Sequence, residues 1–189
     1  MEQTDINAAV AALRNGDVIL YPTDTVWGLG CDATDPAAVR EIFRLKQRDD
    51  SKALITLVSS VAMLERWVDN VPEVAFELIE AAVRPITIVF DSPRGLAPEL
   101  LAPDGSAAVR VTSDPFCRAV MRALRRPLVS TSANISGHPT PRCFAEINPS
   151  LINGVGYVVR DRRDAPAGDG RPSTVIKLGN DSTFKIIRP

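Results

Sequence analysis

Several short runs in this sequence carry residues equipped for chemistry, most of them beside an apolar stretch. Residues 21–30 read Tyr-Pro-Thr-Asp-Thr-Val-Trp-Gly-Leu-Gly. An apolar strand stops at a proline, threonines flank an acid, and glycines bracket a leucine. Hydroxyls and bare backbone N–H groups at a strand end are what small-molecule sites in α/β sheets use. An ordinary turn with packing glycines has the same composition. Lys46, Arg48 and Lys52 place three cations within seven residues. Such a group can cradle a polyphosphate, and it equally suits the C-terminal end of a helix. No Gly-x-x-x-x-Gly-Lys-[Ser/Thr] run occurs, which excludes a P-loop.

Further along, Ala108-Val109-Arg110-Val111-Thr112 alternates, so Arg110 and Thr112 share one face of a strand. An arginine among valines is costly to bury without a partner. A carboxylate ligand or a structural acid would each satisfy it. Ser130-Thr131-Ser132-Ala133-Asn134-Ile135-Ser136-Gly137 follows an apolar run, with Ser130 and Ser132 on one face at the carboxyl end of a strand. Open α/β sheets hold ligands there. Without a nearby base these hydroxyls are binders, not nucleophiles. A serine-rich turn is the alternative. Arg171-Pro172-Ser173-Thr174-Val175-Ile176 puts hydroxyls at a loop-to-strand junction. The arginines at 122, 125, 126, 142, 160, 162, 163 and 171 can form a face for RNA, or a solvated surface balanced by the abundant acids.

The elements that must position these residues interleave. A first helix capped by Asp5 or Asn7 runs through Arg14 and stops at Gly16. Asp35-Pro36 and Asp114-Pro115 are N-cap–proline helix starts, Ser60 caps a third helix, and Pro72 opens a fourth. Strands are expected at 18–21, 53–58, 86–90, 107–111, 128–132, 155–159, 174–178 and 184–187. Residues 134–141 read as loop, and 161–172 as a mobile loop. This alternation predicts an α/β fold: one domain over 1–189, with a mixed sheet and helices packed on it.

Composition agrees. The chain has 189 residues with 22 Lys+Arg against 23 Asp+Glu, a net charge of −1, and 45% hydrophobic residues. These values exclude disordered and histone-like classes. An odd count of cysteines, 31, 117 and 143, without Cys-x-x-Cys, predicts a reduced cytoplasmic chain. The single histidine, His138, argues against a His-based metal site or a Ser-His-Asp triad. No leader and no membrane-length apolar run is expected.

Taken in order, these motifs resemble the YrdC-like family of threonylcarbamoyl-adenylate synthases, in its short TsaC form. The resemblance rests on the run at 21–30, the Lys46-x-Arg48 pair, Ala108-Val109-Arg110, the run at 130–137 and Ser173-Thr174-Val175-Ile176. It implies a twisted mixed sheet with flanking helices around a concave basic cleft, and a reaction in which L-threonine, bicarbonate and ATP, with Mg²⁺, give threonylcarbamoyl-AMP, pyrophosphate and water. Partner proteins would then move the threonylcarbamoyl group to tRNA next to the anticodon. By similarity, Thr25, Arg110, Ser130 and Ser173 would hold threonine. Arg48, Lys52, Ser106, Ser132, Asn134, Thr140 and Arg188 would hold ATP. Lys46 and Arg48 would act catalytically on phosphate or carbamate. The chain departs from the family pattern at Trp27, where tyrosine is common, at Ala53, where proline is usual, and at Val83-Arg84-Pro85-Ile86-Thr87, which lacks the family's tryptophan and glycine. Closing on Arg188-Pro189, it is expected to lack the second domain of longer relatives. Two rival readings remain: a non-catalytic RNA-binding protein, double-stranded RNA included, and a paralogous ATP-dependent carbamoyl-transfer enzyme with another acceptor.

Overall fold

Helix starts follow their capping residues. A computed structural model describes residues 2–47, 54–165, 168, 170–178 and 184–188. Asp35 accepts from the N–H groups of Ala37 and Ala38 at 2.9 and 3.2 Å, with Pro36 pre-set for the first turn of α2 (Pro36–Lys46). Asp114 does the same for α5 (Pro115–Leu124), accepting from the Cys117 N–H at 2.9 Å. Ser60 caps α3 (Val61–Trp67), and Pro72 precedes α4 (Glu73–Ala81). The first helix, α1 (Gln3–Arg14), departs from expectation. It begins after Glu2, and Asp5 lies inside it with its carboxylate buried. That carboxylate is taken by the Tyr157 hydroxyl at 2.6 Å and by the N–H groups of Arg160 and Asp161, so it caps a distant segment instead of its own helix.

The strands are β1 (Ile19–Pro22), β2 (Trp27–Gly30), β3 (Ile55–Val58), β4 (Ile86–Phe90), β5 (Ala107–Val111), β6 (Leu128–Ser132), β7 (Tyr157–Val158), β8 (Thr174–Leu178) and β9 (Phe184–Arg188). They form a nine-stranded sheet in the order β7-β1-β2-β6-β3-β5-β4-β8-β9. Pairs β1–β7, β3–β5 and β4–β8 are parallel and the others antiparallel, so the sheet is mixed as expected. The strand expected at 155–159 shrinks to β7. The strand expected from Ala53 begins at Ile55, with Leu54 just outside it; Ala53 lies outside the described residues. A short helix, α6 (Pro149–Gly154), capped by Asn148, adds an element beyond those expected.

Three apolar clusters fix the layers. α1 and α5 pack Leu13, Phe116, Val120 and Met121 against Ile19 and Leu57. α2 and α6 pack Ile42, Phe43 and Leu151 against Leu20 and Leu29. Leu64 of α3 and Ala75 of α4 join Val58, Ile88, Val109 and Ile176. Burial at roughly 25 cal/mol per Å² of apolar surface makes these clusters the main stabilising term. None of the described helices is long and apolar enough to cross a membrane.

Candidate functional site

The motif at 21–30 is a hairpin. Tyr21 pairs with Gly28 and Pro22 with Trp27, so Trp27–Gly30 is a strand of its own where none was expected. Its glycines allow close approach. A Cβ on Gly30 would lie 2.3 Å from the Val129 carbonyl and 2.6 Å from the Tyr21 ring. The Tyr21 hydroxyl donates to Val129 at 3.1 Å, and burial pushes its pKa well up. The turn is pinned by Thr23, whose hydroxyl donates to the Val26 carbonyl at 2.7 Å. With that single proton used, Thr25 must donate to Thr23 across 3.0 Å. Thr25 Oγ1 therefore presents lone pairs to Arg110, whose Nη1 lies 3.5 Å away.

A cavity of about 470 Å³ opens beside this turn, within the size range of about 300–1,000 Å³ usual for small-molecule sites. Thr25, Arg110, Ser130, Ser132, Thr140, Ser173 and Arg188 all line it, with Gly28, Gly170 and Pro172. Seven residues singled out in the sequence thus meet from the β1–β2 turn, β5, β6, β9 and intervening loops. Ser130 and Ser132 sit side by side at the end of β6, as their alternation requires.

Arg110 is 3% exposed, and its partner is a structural acid: Asp24 Oδ1 lies 3.1 Å from Nη2. Nε is buried with no acceptor. A second guanidinium faces the same cavity. Arg188 donates from Nη2 and Nε to the Ser173 carbonyl at 2.9 and 3.2 Å, with no carboxylate pairing it among the described residues. Burial and the neighbouring Arg110 charge hold its pKa below the usual arginine value. Two cations held together at this cost favour an anion between them. Ser173 is held from behind by Thr87, at 2.7 Å between hydroxyl oxygens, both buried.

Other expected residues sit differently. Lys46, at the end of α2, is 2% exposed and does not line the cavity. Its ammonium donates to the Ser132 carbonyl and, at 2.7 Å, to that of Asn134, while the Ser136 N–H donates back to the Lys46 carbonyl at 2.8 Å. It thus shapes the loop after β6. Asn134 accepts from Ser132 Oγ and donates to the His138 carbonyl at 2.6 Å, and it lines a smaller cavity of about 340 Å³ that shares Thr140 with the first. Ser106 points to Asp104 at 2.6 Å and is not among the residues lining either cavity. Arg48 and Lys52 lie outside the described residues.

Several described residues between Arg160 and Pro172 approach the hairpin turn or the helix cap beside it. Asp5 grips the N–H groups of Arg160 and Asp161. Arg162 reaches Asp114 at 2.7 Å. Gly168, at φ +59, lies so close that a Cβ would sit 2.2 Å from the Asp24 carbonyl carbon. The Gly170 N–H donates to the Thr25 carbonyl at 2.9 Å. The residues that hold others, Thr23, Asp24, Thr87 and Thr112, were given no role from the sequence. Thr23 and Asp24 lie inside the run at 21–30 and Thr112 shares a strand face with Arg110, while Thr87 carried no such signal.

The family model described as Sua5/yciO/yrdC, telomere recombination, matches residues 11–189. The chain belongs to the Sua5/YciO/YrdC family. It is 34% identical over 188 residues to threonylcarbamoyl-AMP synthase of Pseudoalteromonas translucida, covering 97% of this chain and 98% of that one. It is 36% identical over 178 residues to that of Chromohalobacter salexigens, covering 94% of each. Escherichia coli YciO superposes with a TM-score of 0.84 at 29% identity, over 99% of this chain and 89% of YciO. Pyrococcus abyssi Sua5 complexed with L-threonine superposes at 0.90 and 28% identity over 100% of this chain, which spans 55% of that protein's length. The Sua5/YciO/YrdC fold is thus the one described above. Among the described residues no cluster of His, Cys, Asp or Glu could hold a metal ion.

Proposed function

We propose that this chain is a threonylcarbamoyl-AMP synthase that joins L-threonine, bicarbonate and ATP. One observation carries the reading: Arg110, with an unmet Nε, and Arg188 face a common cavity walled by the hydroxyls of Thr25, Ser130, Ser132 and Ser173. That surface suits a small anion bearing a hydroxyl. The relatives' activity supplies the rest.

In this reading Arg110 clamps the threonine carboxylate, and the hydroxyls of Ser130 and Ser173 read its side chain and amine. The amine nitrogen bonds to the bicarbonate carbon with loss of water. An oxygen of the resulting carbamate attacks the α-phosphorus of ATP, and pyrophosphate leaves. Catalysis is then positioning and electrostatic stabilisation, without a covalent enzyme intermediate. Ser132, Asn134, Thr140 and Arg188 would face ATP, with Arg48 and Lys52 shielding its phosphates. Lys46 would act by holding the Ser132–Asn134 backbone. Partner proteins that carry the threonylcarbamoyl group to tRNA, and a cytoplasmic setting, belong to the same proposal. A free basic face for RNA has less support: Arg126, Arg142 and Arg162 are paired with acids, and Arg163 donates to the Val158 and Val159 carbonyls and stacks over Phe144 at 4.8 Å.

The test is incubation with ATP, bicarbonate and threonine. Pyrophosphate should appear only when threonine is present, with a product of the mass of threonylcarbamoyl-AMP. Equal turnover with any amine would sink the assignment. Valine should be strongly rejected, because a site that hydrogen-bonds a hydroxyl leaves polar groups unpaired without it, and serine only modestly, at about 1–3 kcal/mol for a methyl group.

A further inference from the structure

We infer that Asp24 is a positioning residue for Arg110, setting the guanidinium's direction toward the ligand. The inference rests on the proposed function, in which Arg110 meets the threonine carboxylate. The sheet order puts β6 and β3 between β2 and β5, so the turn carrying Asp24 reaches β5 across the sheet, not along a strand ladder. That reach needs a fixed end, and Asp24 has one. Its Oδ2 accepts from the Thr112 hydroxyl at 2.8 Å and from the Ser113 N–H at 3.3 Å. Thr112 in turn accepts from the Asp114 N–H at 3.2 Å, where α5 is capped. The other oxygen, Oδ1, lies 3.1 Å from Arg110 Nη2.

A guanidinium has five N–H donors in a rigid fork. Asp24 Oδ1 pairs with one nitrogen by charge at 3.1 Å without a hydrogen bond to it, Thr25 accepts from a second at the 3.5 Å limit, and Nε has no acceptor. Arg110 is thereby drawn to one side by the carboxylate's charge and left with donors unfinished on another. Asp24 also offsets the repulsion between Arg110 and Arg188, which line the same cavity. Direction and charge balance both come from this carboxylate, so an amide in its place should loosen the clamp although it keeps an acceptor for Thr112.

Calorimetric titration with L-threonine tests this without relying on turnover. Asp24→Asn should weaken threonine binding tenfold or more and leave ATP binding within twofold. Arg110→Lys should weaken threonine binding as well, and the double variant should bind no worse than Arg110→Lys alone, because the two act as one unit. Losses that simply add, or an Asp24→Asn protein that binds threonine as tightly as wild type, overturn the inference. Wild-type protein that takes up no threonine overturns the proposed function, and this inference with it. If Asp24→Asn fails to fold, Thr112→Val, which removes the hydroxyl holding Asp24 Oδ2, should weaken threonine binding threefold or more. Unchanged affinity there overturns the inference equally.

Discussion

Thr87 shows how a buried side chain with no reach into the cavity can govern one that has it. Its hydroxyl is the rear support of Ser173, and both are buried. Thr87→Val should cost about 1 kcal/mol, a fall in melting temperature of about 2–4 °C. It should also raise the KM for threonine while leaving that for ATP unchanged, as steady-state kinetics would show. A second prediction belongs to Tyr157. Burial and the bond to Asp5 raise its pKa from 10.0 to about 12. The protonated phenol is thus favoured by folding, so its contribution is complete below pH 10 and lost as pH rises toward 12. Melting between these values should show wild type losing stability more steeply than Tyr157→Phe. At this scale the sequence was readable wherever alternation decides direction: Ser130, Ser132 and Arg110 face the cavity because strands have period two. It was not readable for Lys46 or Ser106, whose partners are a carbonyl from another element and a nearby acid. Residue type names a donor, and only the folded chain names its acceptor.

Among the elements, the β1–β2 hairpin has the least tolerance. Gly30→Ala would drive a methyl into the Val129 carbonyl and the Tyr21 ring, at a cost of about 1–3 kcal/mol. A lower urea midpoint with an unchanged slope would register it; an unchanged midpoint would mean the neighbours yield. The helices were legible because Asp-Pro and Ser caps act locally. β2 was not, because Trp27-Gly28-Leu29-Gly30 is glycine-interrupted and becomes a strand only by pairing with β1 and β6. The start of α1 was misjudged for a related reason. A cap residue satisfies whichever N–H groups it meets, and Asp5 meets those of Arg160 and Asp161.

For the whole molecule, the sheet order joins distant parts of the chain. Among the described strands three sequence-neighbour pairs lie side by side in the sheet, β1–β2, β4–β5 and β8–β9, and the remaining pairings close long loops. A mixed sheet was legible from interleaved strands and helices. The order was not, because register and neighbours are set by burial over the entire fold. The cavity inherits this geometry: Thr25 and Arg188 line it from opposite ends of the sequence. A ligand held between them adds RT ln(1 + [L]/Kd), about 2.7 kcal/mol at a hundred times Kd. Threonine and ATP should therefore raise the melting temperature of the whole protein together. Arg188 belongs to the outermost strand, β9, which pairs on one side only with β8 and leaves Phe184, Ile186 and Ile187 largely exposed. A ligand gripped by Arg188 is in effect a clasp on that strand. When substrate is scarce, β9 should be the place where a protease first gains purchase, so that nutrient supply would set the enzyme's lifetime as well as its rate.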